Sequence, residues 1–198
     1  MDLASRLGKQ FQAEFVGRII TTVFGAILTI LLARLLGPTD YGLLFLSISI
    51  LGALQLFGKL GISRATGRYL AEYKETGPEQ VSIILRFSFF LITIVILTVS
   101  SVLFIFAPYL ASILNYSELT TLLMVGSLFI VFGTYKLYVR RILQGLEQIR
   151  IAALINSLNH GLRLPLVLGF VLIGYGAVGA LVGYILSFAI VSLIGLIY

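Results

Sequence analysis

Residues 15–42 read FVGRIITTVFGAILTILLARLLGPTDYG, and this stretch decides the fold class. From Phe15 to Leu36 the only charged residues are Arg18 and Arg34, and the run closes on Gly37-Pro38-Thr39-Asp40, a helix-stopping turn. An uninterrupted apolar run of about 20 residues is the length a helix needs to cross about 30 Å of hydrocarbon. A membrane-spanning helix over residues 15–36 is the direct expectation.

The same pattern repeats outward from this segment. Further spans are predicted over residues 41–62, 81–107 (stopped by Pro108), 119–137, 151–173 and, after the turn Gly174-Tyr175-Gly176, 177–198. Residues 15–198 are thus expected to form an all-α, polytopic transmembrane bundle of six spans. In residues 1–14, Leu3, Leu7 and Phe11 recur at helical spacing, with Arg6, Lys9, Gln10 and Glu14 on the other side. They predict an interfacial amphipathic helix leading into the first span. This segment does not read as a signal peptide, because the apolar run behind it is too long and no small-residue cleavage site follows.

Composition agrees. Apolar residues make up 59% of the 198 and charged residues 11%, with a mean hydropathy of +1.08, against roughly 25% charge in soluble domains. There is no cysteine, which excludes disulfides, Cys-ligated zinc and a thiol nucleophile, and one histidine leaves little room for a metal site. The net charge of +6 does not point to nucleic acid, since the cations sit beside apolar spans and report topology instead. Arg6, Lys9, Arg64, Arg68, Lys74, Arg140, Arg141 and Arg150 fall on the side of the N-terminus, and Arg34 lies near the other. The excess of Lys and Arg in cytoplasmic loops then places the N-terminus in the cytoplasm.

Ionisable groups deep in hydrocarbon are the residues expected to carry function. Asn156, Asn159, His160 and Arg163 share one broad face of span five, at three- and four-residue spacings. A charge at mid-span costs about 2.5 to 3.5 kcal/mol on insertion scales, so Arg163 requires compensation. Pro165 frees a carbonyl one turn earlier and is expected to kink the helix there. One reading is a wet cavity lined by this face; the other is that Arg163 and His160 make polar contacts that only hold helices together. Arg18 in span one, with Gln55 and Lys59 in span two, are further cavity candidates, although Arg18, Lys59 and also Arg86 could snorkel to the interface. Every Asp and Glu falls in a loop or interfacial segment. Cations without carboxylates favour an anionic ligand over a proton or sodium relay. Gly17, Thr21 and Gly25, and Gly179 and Gly183, read as helix-packing seams. No phosphate-binding loop, nucleophile elbow, metal-binding helix or cofactor motif is present, and neither catalysis nor a cofactor is expected.

Four segments resemble a known family. They are Leu32–Gly42 (LARLLGPTDYG), Leu60–Arg64 (LGISR) leading to Arg68–Tyr73 (RYLAEY), Leu143–Glu147 (LQGLE) and Gly174–Ala180 (GYGAVGA). In this order they are similar to the polysaccharide biosynthesis flippases, Wzx-like members of the multidrug/oligosaccharidyl-lipid/polysaccharide exporter superfamily. The resemblance implies one lobe of a two-lobed, MATE-like transporter. Its central cavity would open alternately to either side and move a polyprenyl- or dolichyl-linked sugar across the cell membrane. It implies a partner as well, a second six-span half in the same or another chain. Arg163 would then contact the phosphate, with Asn156, Asn159 and His160 on sugar or water. Many relatives carry an acid where Gly58-Lys59 stands here, which argues against acid-based cation coupling through span two. A multidrug exporter of the same superfamily would be expected to use an intramembrane acid, and a membrane glycosyltransferase would need catalytic acids or bases in a large loop. A non-transporting scaffold for glycan-synthesis enzymes would use the polar face of span five only for packing.

Overall fold

The computed structural model describes the backbone of residues 3–59 and 61–197 and the side chains of residues 22–57, 61–77 and 79–196. Six helices follow one another: α1 Leu3–Lys59, α2 Ile62–Thr76, α3 Pro78–Ile113, α4 Leu119–Gly145, α5 Ile149–Phe170 and α6 Gly176–Ile197, with one π-turn, Val171–Tyr175, between the last two. Four stretches are long and apolar enough to cross a membrane: Thr22–Phe57, Glu79–Ile113, Leu119–Gly145 and Ile149–Leu196. The chain is a multi-pass, all-helical membrane protein. α3 presents Ile83, Phe87, Phe90, Ile94, Leu97 and Ile105 outward, a surface that suits lipid.

The first and last of these stretches are each broken at a predicted turn. Pro38 disfavours helical backbone in the residue before it, and Gly37 takes φ 73°, ψ 173°, a region open essentially to glycine alone. Gly174 has φ 98° and Gly176 φ 53°, so the π-turn ends on two left-handed glycines. A Cβ on Gly176 would lie 3.1 Å from the Asp40 carboxylate, which brings the two glycine turns to the same end of the molecule.

Other boundaries differ from expectation. α3 runs through Pro108 to Ile113, because a proline deletes only its own N–H bond, whereas unravelling a turn in lipid exposes several backbone groups. α4 continues to Gly145 rather than stopping at residue 137, held by Tyr138, Val139 and Leu143, which are buried. α5 likewise passes Pro165 without a break. The polar connection between the second and third predicted spans is helix α2 for most of its length. The backbone of residues 3–21 continues into α1, but the side chains of the expected interfacial segment, Met1 to Glu14, lie outside the described residues.

Polar rungs join α3 to α4. Ser88 and Tyr138 hydroxyls lie 2.7 Å apart, Thr93 and Tyr135 hydroxyls 2.9 Å apart, and Ser100 Oγ donates to the Ser127 carbonyl at 2.9 Å. Rising numbers on one helix meet falling numbers on the other, so the two are antiparallel. Close approach at glycines sets the rest. A Cβ on Gly183 would lie 2.5 Å from Val167 Cα, one on Gly179 2.9 Å from the Phe170 carbonyl, and Gly126 faces Leu51 while Gly133 faces Gln55. α5 and α6 are therefore antiparallel, and residues 51–55 of α1 run parallel to α4. These small-residue contacts are the means by which helices associate where lipid offers no hydrophobic drive.

Candidate functional site

The inner ridge of α5 is Ala152, Ile155, Asn159 and Val167, all buried. Arg163 occupies the position between Asn159 and Val167 on this ridge, one turn from each. Because Gly183 lets α6 lie directly against Val167, the Arg163 guanidinium meets two aromatic rings of α6. It stands 4.9 Å from the centroid of Tyr184 and 5.5 Å from that of Phe188. Cation–π contacts contribute about 0.5 to 2 kcal/mol each when partly desolvated. Two of them offset much of the insertion cost of about 2.5 to 3.5 kcal/mol.

Phe188 is the hub of the cluster. Its ring also carries Lys136 Nζ of α4 at 4.1 Å and tilts against Phe129 at 5.0 Å. The Gln55 amide lies against Gly133, where an added Cβ would meet it first and have the Phe188 ring edge at 3.4 Å. Side chains from α1, α4, α5 and α6 thus converge, and two cations share one aromatic ring. Their distances of 4.1 and 5.5 Å from one ring centroid keep the two cations within about 10 Å of each other, where like charges repel by at least roughly 2 kcal/mol at an effective dielectric of 20. An anion in contact with both would offset that repulsion.

His160 is half-buried one turn before Arg163 and lies within electrostatic reach of Arg163, Lys136 and Arg140. Asn156 is half-buried one turn further back. Asn159 is fully buried, and neither its amide nitrogen nor its oxygen has a hydrogen-bond partner; Arg163 Nε and Thr134 Oγ1 share this condition. An unmet buried polar group costs about 1 to 3 kcal/mol, so each of these atoms, like Ser63 Oγ of α2, would gain from a polar partner. Arg163 makes no ion pair among the described residues, where the salt bridges are those of Lys74 with Glu75 and Glu147.

Of the residues singled out from sequence, the structure brings Gln55 and Arg163 to the Phe188 cluster, sets His160 within reach of its charges and places Asn156 and Asn159 on the same helix. The side chains of Arg18 and Lys59 lie outside the described residues. Sequence reasoning missed Lys136, Tyr184 and Phe188. Lys136 stands at the edge of a predicted span, where a cation attracts no notice, and Tyr184 and Phe188 form an i, i+4 aromatic pair that reads as lipid-facing. A useful signal was the neighbouring Gly133-Thr134 and Gly183, small residues that let large ones meet across the interface. Two grooves, of about 460 Å³ between α2 and α3 and about 280 Å³ at Ser100 and Ser127, are not lined by Arg163.

A family model described as polysaccharide biosynthesis protein matches residues 7–198. No curated protein and no solved structure gives a significant match. The chain belongs to the polysaccharide biosynthesis protein family.

Proposed function

We propose that this member of the polysaccharide biosynthesis family is one lobe of a flippase that moves a lipid-linked oligosaccharide or polysaccharide precursor across the cytoplasmic membrane by alternating access. On this reading the two glycine-broken stretches each cross the bilayer twice. Six crossings result, with the N-terminus in the cytoplasm, and a second six-span lobe completes the transporter. Support for the orientation comes from the gathering of α2, the end of α4 and the start of α5, which carry Arg64, Arg68, Lys74, Arg140, Arg141 and Arg150, at one end of the bundle.

One observation carries the proposal: Arg163 and Lys136 share the Phe188 ring among apolar helices, with orphaned polar atoms on Asn159, Thr134 and Arg163. A lipid-linked glycan presents a phosphate or pyrophosphate and a hydroxyl-rich head. Cations suit the first, amide and hydroxyl groups the second, and the prenyl tail stays in lipid. The lobe binds and orients; no bond of the substrate is made or broken, and no metal or cofactor is required. Rocking of one lobe against the other would expose the cluster to each side in turn.

A second reading has its own support. The aromatic faces of Tyr184 and Phe188 could hold Arg163 purely as a packing element, as a scaffold would require. Cells whose only copy of the full-length protein carries Arg163→Leu or Arg163→Lys separate the two. The flippase reading expects Arg163→Leu to stop surface-glycan export at unchanged protein level and Arg163→Lys to retain part of it. Normal export by Arg163→Leu contradicts the transport role.

A further inference from the structure

Away from the Phe188 cluster, α2 and the first turns of α3 enclose a groove of about 460 Å³. Ala65, Tyr69 and Tyr73 of α2 form one wall, and Ile83, Phe87 and Leu91 of α3 the other. Ile83 and Phe87 are each about two-thirds exposed, at 67% and 68%. Its polar lining residues are Thr66, Tyr69, Tyr73, Gln80 and Ser88, and two of these hydroxyls are already satisfied within the protein. Thr66 Oγ1 donates to the Ile62 carbonyl, and Ser88 Oγ is bonded to Tyr138. The remaining lining is mostly apolar and suits an alkyl chain.

The rim is different. Tyr69 is half exposed and Tyr73 lies beside it, aromatic residues of the kind that collect at headgroup level. Arg86 follows Ile83 by one turn and precedes Phe87, is exposed, and has no ion pair or hydrogen bond among the described residues. Its length lets the guanidinium rise along α3 toward α2 while the stem stays on apolar surface. Arg64 and Arg68 of α2 are exposed too, with Glu72 and Glu79 as the nearby acids in sequence. An apolar cleft with an exposed arginine on the adjoining turn of α3 matches one amphiphile, and the membrane around the bundle supplies it.

We propose that the α2–α3 groove is a resident phospholipid site, with one acyl chain lying in the cleft and the phosphate hydrogen-bonded to Arg86. Such a lipid would wedge the charged helix α2 against the bundle. The site is separate from the Phe188 cluster and does not depend on its role.

The protein has no tryptophan, so a single introduced indole reports its own surroundings. Tyr69→Trp protein is reconstituted in vesicles doped either with a bromine-labelled phospholipid or with a bromine-labelled diacylglycerol of the same chains. Leu172→Trp, on a strongly exposed position of the π-turn, serves as the bulk-lipid reference. The expected result is quenching of Tyr69→Trp at lower phospholipid than diacylglycerol content, by on the order of tenfold for one charged hydrogen bond. The preference should be absent for Leu172→Trp and lost when Arg86→Gln is added. Equal quenching by the two lipids at residue 69, or a preference that survives Arg86→Gln, overturns the proposal. Should Tyr69→Trp not fold, Tyr73→Trp on the same wall gives the same readings.

Discussion

Gly161 and Gly183 show how a single residue's cost depends on its facing surface. A Cβ at Gly161 meets nothing within 4 Å, while one at Gly183 would strike Val167 backbone at 2.5 Å. Gly161→Ala should therefore leave thermal stability in detergent unchanged or raise it by up to about 1 kcal/mol. Gly183→Val should lower stability by about 1 to 3 kcal/mol, and it should also weaken Arg163, since the rings of Tyr184 and Phe188 hold their places only while α5 and α6 stay close. A melting curve of each variant checks this, and equal curves would contradict the packing described. At the same scale, Arg163 stood out in the sequence because a cation beside Pro165 in mid-span requires compensation. Lys136 was not, because a lysine near a span's end normally reaches water. Only the fold reveals that it points at Phe188 instead.

Among the elements, α2 is held less by charge than by backbone contact. Gly67 and Gly145 meet so closely that a Cβ on Gly145 would lie 2.5 Å from the Gly67 carbonyl, and one on Gly67 2.9 Å from the Arg141 carbonyl. Lys74 also reaches Glu147 at 2.7 Å, but that carboxylate is well exposed, and surface pairs contribute little. Gly67→Ala should free α2, seen as faster proteolysis between residues 60 and 80, whereas Lys74→Met should be close to wild type. The reverse order would show the ion pair to be the tie. The hydrogen bond from Lys74 to Glu147 raises the ammonium's pKa above its ordinary 10.5. Its small contribution is therefore present at neutral pH and is lost only as pH rises through the raised value. Element boundaries were legible where chemistry forbids helix, at Gly37-Pro38 and Gly174-Tyr175-Gly176. They were not legible at Pro108, or at the end of α4, where Tyr138 bonding to Ser88 prolongs a helix that hydropathy alone would stop.

At the level of the whole molecule, the all-helical membrane character and the family were legible from apolar run lengths and from the four quoted segments, while the six expected spans fall within four stretches long and apolar enough to cross a membrane. What the sequence did not disclose is the convergence: four helices delivering Gln55, Lys136, Arg163, Tyr184 and Phe188 to one place, a product of glycine-mediated approach rather than of any linear motif. Binding of an anionic lipid-linked sugar at this convergence is the central claim. Its most direct test is translocation by purified full-length protein in proteoliposomes, following a fluorescent polyprenyl-diphosphate sugar from one leaflet to the other. The account predicts movement by the wild-type protein and its loss in Arg163→Leu and in Lys136→Leu, each still folded and monodisperse. Movement at the wild-type rate by the Arg163→Leu protein would contradict it.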